Sequence, residues 1–94
     1  MRITFDPPKR LKTLSERGID FAIDAQKVFA GRFATSEDKR FDYGEKRYST
    51  VGWIEGRMTL VICTPRGEAH HIISMRYVHA REAKRLLRDL FGEA

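Results

Sequence analysis

Met58-Thr59-Leu60-Val61-Ile62-Cys63-Thr64 and His70-His71-Ile72-Ile73-Ser74-Met75-Arg76, joined by Pro65-Arg66-Gly67-Glu68, decide how this chain folds. Both runs are short, apolar and rich in β-branched residues, and the proline and glycine between them supply turn chemistry, so the segment predicts a β-hairpin. A third run, Arg47-Tyr48-Ser49-Thr50-Val51-Gly52-Trp53-Ile54, comes just before, and Gly56 suits a tight reversal into Met58. Arg47, Arg66 and Arg76 then stand at the ends of three neighbouring strands. Guanidinium is planar, permanently charged and matched to phosphate by its fork of donors, which points to a phosphate-handling surface. Solvated strand ends carry charge for no such reason, and both readings stay open on the residues alone.

Working outward, Ile3 to Phe5 has strand composition, and Asp6 followed by Pro7 predicts a capped helix start. Leu11 and Leu14 lie one turn apart before Gly18, which suits a left-handed helix end. Asp20 predicts the cap of a second helix, with Phe21, Ala25, Val28 and Phe29 on one side before Gly31. Arg32 to Gly44 is polar and predicts a short strand or loop. A final helix has Ala80, Ala83, Leu87 and Leu90 on one stripe and Arg81, Lys84, Arg85 and Arg88 over much of the rest.

At 94 residues the chain predicts one domain, 1–94, and its 41% apolar and 11% aromatic content supports a packed core. No run approaches membrane-spanning length and the N-terminus lacks the apolar stretch of a signal peptide, so a cytoplasmic protein with no membrane partner is expected. The single cysteine, Cys63, falls within an apolar strand pattern and predicts a buried small hydrophobe. A net charge of +5, with twelve arginines against six lysines, favours an anionic partner, either nucleic acid or an acidic protein segment.

Arginine cannot accept a proton at neutral pH, so Arg47, Arg66 and Arg76 fit charge stabilisation and not base catalysis. Glu45 has the chemistry of a base, and strand parity places it on the face of Arg47. Regular alternation puts His70 with Ser74 and Arg76 and sends His71 to the face of Ile73 and Met75, so His70 is the histidine expected at a site. Ser74 reads as a hydrogen-bonding support rather than a nucleophile. The adjacent histidines cannot share a metal, no cysteine or carboxylate set completes a ligand cage, and no glycine-rich phosphate loop is present, so neither metal nor cofactor is expected. Tyr43, Tyr48 and Trp53 are able to stack on bases if exposed, although an apolar strand tryptophan is usually core.

The order and spacing of Phe5-Asp6 with Lys9, Gly18-Ile19-Asp20-Phe21, Ala25, Val28-Phe29, Gly44-Glu45-Lys46-Arg47-Tyr48, Gly52, Leu60-Val61, Thr64, Arg66 and Ile72-Ile73-Ser74 with Arg76 resemble the BrnT family of bacterial type II toxins. The resemblance implies an α+β domain of RelE and ParE type, with two N-terminal helices on an antiparallel sheet and a C-terminal helix. It implies an endoribonuclease that inhibits translation and is neutralised by a cognate BrnA-type, ribbon-helix-helix antitoxin, through which alone the complex touches operator DNA. It makes Arg47, Arg66, Arg76 and Glu45 the catalytic candidates; from the residues themselves, Lys46, His70 and Arg81 are the expected RNA contacts. The chain departs from the family pattern at Thr13, Glu16 and Arg17, at His71 in place of an arginine, and at Met75. A catalytically weak antitoxin- or RNA-binding protein and a gyrase-directed toxin of the ParE kind are the competing expectations.

Overall fold

The computed structural model describes residues 1–93. Strand β1 (Arg2–Phe5) leads into helices α1 (Pro7–Arg17) and α2 (Phe21–Ala30), followed by β2 (Ala34–Glu37), β3 (Tyr48–Ile54), β4 (Arg57–Arg66), β5 (Ala69–Tyr77) and α3 (Ala80–Phe91). The strands form one sheet in the order β1-β5-β4-β3-β2. The α+β class expected from the sequence is present, and the antiparallel sheet needs correction: β1 runs parallel to β5, with Ile3 opposite His70 and Thr4 opposite His71. The reason is connectivity. Two helices carry the chain from β1 at one edge to β2 at the other, so β1 meets β5 only after every other strand has been laid down, and no turn between the two imposes an antiparallel pairing.

The predicted hairpin is the centre of the sheet, with β4 against β5 and a reversal at Gly67-Glu68. Gly67 takes φ of 60°, in the left-handed region. Between β3 and β4 the reversal uses Glu55 and Gly56, both at positive φ, the pattern of a two-residue primed turn. The hairpin is not regular. Ile62 pairs with Ser74 but Cys63 pairs with Ile72, so Ile73 is an extra residue, a β-bulge. Every β5 side chain on the turn side of that bulge therefore lies on the opposite face from the one strict alternation predicts.

One face of the sheet carries the core, in which Ile54, Val61, Cys63, Ile72 and Met75 meet Ile19, Phe21, Ala25 and Val28. Cys63 is a free, buried thiol, as its strand position predicts. Asp20 caps α2 by accepting from Ala22 N at 2.9 Å, and the same carboxylate takes two bonds from Arg10, at 2.8 and 3.0 Å, which ties α1 to α2. Helix α2 sits so near β3 that a Cβ at Gly52 would lie 2.8 Å from Val28 Cγ1. Helix α1 starts without the expected capping bond from Asp6 and buries none of its side chains. Once β1 ends, α1 runs beside β5 and Arg17 donates to the Met75 carbonyl at 2.8 Å.

The other face is only partly covered. Helix α3 reaches it at the β3–β4 turn end, where Phe91 packs 5.1 Å from Trp53 and Arg32 lies over both rings. Toward the β4–β5 turn the face is left to side chains, with Leu60, Ile62 and Ser74 half-buried. No helix among the described residues is long and apolar enough to cross a membrane.

Candidate functional site

On the partly covered face, one row crosses three strands near the β4–β5 turn. Thr4 of β1 pairs with His71 of β5, and His71 pairs with Thr64 of β4. Arg47 lies next along the row, one residue before Tyr48, whose partner is Cys63. The Thr64 hydroxyl donates to the Lys46 carbonyl at 2.7 Å and so holds the approach to β3 against β4. Arg66 stands two residues beyond Thr64 on the same side of the strand, at its exposed end.

The His71 ring is half-buried, with Nδ1 2.8 Å from Thr4 Oγ1. Its pKa is held below the ordinary value by burial first, then by the positive charges of Arg66 and Lys9, while Glu45 and Asp6 pull the other way. Five elements of the chain therefore converge on one imidazole: β1, the α1 start, the approach to β3, β4 and β5.

Arg47 is positioned from the β2–β3 loop. The Asp38 side chain is only 2% exposed. It accepts from Arg40 Nε and Nη2, both at 2.9 Å, and from the Tyr43 hydroxyl at 3.2 Å. The Arg40 guanidinium beside it holds the Asp38 carboxyl well below the usual carboxylate range. The Tyr43 ring thus fixed carries the Arg47 guanidinium 4.1 Å from its centroid. Arg47 Nε is buried with no acceptor among the described residues, a donor in want of an anion or water.

The third expected arginine lies elsewhere. Arg76 pairs with Leu60, six β4 residues from Arg66, a separation of about 20 Å along the strand. It shares the face of Arg66 but not its surroundings. Its Nη1 and Nη2 bind Glu82 Oε1 and Oε2 at 3.0 and 3.1 Å, and Arg85 reaches the same carboxylate at 3.8 Å. Arg76 holds the Glu82 carboxyl below its ordinary pKa. Arg81 and His79 line the same shallow concavity, so the expected RNA contact Arg81 belongs to this second basic cluster.

Two further expectations are corrected. His70 does not join the arginines: the bulge at Ile73 turns it to the helix-covered face, where its ring lies 5.7 Å from Phe29. His71 takes the place that alternation assigned to His70. Glu45 lies in a bend before β3, not on a strand, so its predicted parity with Arg47 does not apply. Among the described residues it forms no ion pair, and its field acts on His71. Lys46 is exposed beside Glu37, at 4.0 Å. Tyr43 carries Arg47 instead of standing free for a base, and Trp53 is half-buried against α3.

Sequence reasoning missed Thr4, Asp38 and His71. Only the double apolar step Ile72-Ile73, which makes alternation ambiguous, hinted at the bulge.

The molecule is thus a small α+β domain with two cationic clusters on one sheet face, a class suited to binding a polyanion. The family model for the ribonuclease toxin BrnT of type II toxin-antitoxin systems matches residues 5–82, and the chain belongs to this family. Among curated proteins, no significant match was found.

Proposed function

We infer that the protein is an endoribonuclease that cuts single-stranded RNA and thereby stops translation, with its chemistry at the β4–β5 turn end of the sheet. One observation carries this reading: the cross-strand row Thr4–His71–Thr64, continued by Arg47 and flanked by Arg66. Transesterification at an RNA phosphate needs preorganised positive charge for the phosphorane oxygens and a group that takes the 2′-hydroxyl proton. Arg47 and Arg66 supply the first. Glu45, whose charge favours the protonated form of His71, contributes electrostatics there together with Asp6. No step requires a metal ion.

Arg76, with Arg81, serves a neighbouring stretch of the RNA backbone about 20 Å away, a reach of a few nucleotides. The same exposed cations suit carboxylates, so an acidic segment of a BrnA-type antitoxin neutralises the toxin by occupying them. A ribbon-helix-helix part of that antitoxin would carry the operator contact. The test is purified protein on end-labelled RNA in the presence of EDTA, with and without the antitoxin. Cleavage to a 2′,3′-cyclic phosphate and a 5′-hydroxyl, suppressed by the antitoxin, is expected. No RNA cleavage, or cleavage only when a divalent ion is restored, contradicts the proposal.

A further inference from the structure

The bulge in β5 decides where the His71 ring lies. With regular alternation from Arg76 backward, position 71 falls among the core residues beside Met75. The extra residue at Ile73 instead brings it to the face shared by Thr64 and Arg66, while Ser74 and Arg76 stay on that face beyond the bulge.

The ring's surroundings suit one role. Nδ1 is engaged by Thr4 Oγ1 at 2.8 Å, and Nε2 has no protein partner among the described residues. Arg66 from β4 and Lys9 from α1 disfavour the imidazolium, and burial acts in the same direction. The neutral ring therefore prevails at neutral pH, with a lone pair to offer. Glu45, before β3, and Asp6, before α1, favour the protonated form, so a proton once taken up is not placed in a wholly cationic environment.

We propose that His71 is the catalytic base of this toxin, its Nδ1–H donating to Thr4 and its Nε2 taking the proton from the 2′-hydroxyl of the RNA. The proposal rests on the ribonuclease reading above. The 2′-oxygen forms the new bond to phosphorus, the bond to the 5′-oxygen breaks with its electron pair on that oxygen, and water supplies the proton that makes the 5′-hydroxyl. His71 then returns its proton to solvent. Arg66 stabilises the non-bridging oxygens, and Thr4 is a positioning residue that fixes the ring nitrogen presented to the substrate.

The experiment is the pH–rate profile of single-turnover cleavage for the wild type, His71→Gln, Thr4→Val and Arg66→Ala, with an NMR titration of His71 in the wild type. The wild-type rate is expected to rise with pH through one ionisation that matches the NMR titration of His71, below the ordinary histidine value. His71→Gln is expected to lose about 10²- to 10⁴-fold in rate and to lose that ionisation from its profile. Arg66→Ala is expected to be slow as well but to keep the ionisation, moved to higher pH because a neighbouring cation is gone. Thr4→Val is expected to keep the fold and shift the His71 titration. A His71→Gln protein with the wild-type rate or profile overturns the proposal, as does a kinetic ionisation that does not match the NMR titration in the wild type. A wild type that cleaves no RNA overturns the ribonuclease reading and the proposal together.

Discussion

Replacing Glu82 by glutamine should strengthen RNA binding while weakening the fold. Glu82 sits between two guanidiniums, bidentate to Arg76 and 3.8 Å from Arg85, with side-chain exposures of 38% for Arg76 and 25% for Glu82. At that exposure solvent screens much of the attraction, so loss of the pair removes about 0.5–1 kcal/mol. Loss of an anion from the first turn of α3 removes a similar amount at most. A fall in melting temperature of about 5 °C is therefore expected for a domain of this size. The gain is in binding. Arg76 and Arg85 lose their internal anion, and each that finds an RNA phosphate releases counterions, steepening the logarithmic salt dependence by about 0.7 for a single strand. One such contact changes affinity about 2.5-fold between 50 and 200 mM salt. Fluorescence anisotropy on a 2′-O-methyl oligonucleotide, which offers no free hydroxyl for cleavage, measures it. Unchanged affinity and slope in Glu82→Gln would refute the claim that this cluster meets the RNA backbone.

Gly52→Ala should destabilise the domain by about 1–3 kcal/mol in chemical denaturation, because the added methyl meets Val28 Cγ1 at 2.8 Å and the Arg32 carbonyl at 3.3 Å. Combined with Val28→Ala the loss should be less than additive, and full additivity would contradict overpacking at that contact. Asp20→Ala removes the α2 cap and the Arg10 tie and should destabilise by about 2 kcal/mol, read from the same denaturation midpoints. Stability should also fall on acidification in two windows. The folded His71 binds protons less readily than the unfolded one, so its contribution is lost as pH falls below its ordinary value near 6.5. Asp20, Asp38 and Glu82 have depressed folded pKa values, so theirs is lost below about pH 4. Thermal melts against pH should show both, and His71→Gln should abolish only the upper one.

How much of this was legible in the residues depends on the length scale. The Met58 to Arg76 hairpin was readable because the β-branched apolar runs and the Pro65 and Gly67 turn chemistry agree at the local level. The same holds for α2, where Asp20 and the spacing of Phe21, Ala25 and Val28 point one way. What sequence could not give was set by partners far along the chain. A bulge at Ile73 is invisible where two isoleucines adjoin, since either suits the core, and one extra residue exchanged the faces of His70 and His71. Parallel pairing of β1 joins it to the last strand of the chain, β5, a partner that no local pattern near Ile3 specifies. Leu11 and Leu14 lie one turn apart, yet they are 63% and 41% exposed, because α1 is held to the molecule through polar ties from Arg10 and Arg17. Of the candidate site, Arg47 and Arg66 do share one end of the sheet. The separation of Arg76 follows from antiparallel geometry, which sends the end of β5 back toward the start of β4.

The central claim, that RNA is cut at the β4–β5 turn end and held at the α3 end, is tested most directly by single-turnover cleavage of one labelled RNA by Arg66→Ala and Arg76→Ala, each varied over protein concentration. Arg66→Ala should lower the maximal rate about 100-fold with little change in the half-saturating concentration, as loss of a preorganised donor to the transition state does. Arg76→Ala should raise the half-saturating concentration and leave the maximal rate intact. The opposite assignment, with the chemical step lost in Arg76→Ala and retained in Arg66→Ala, would contradict the account.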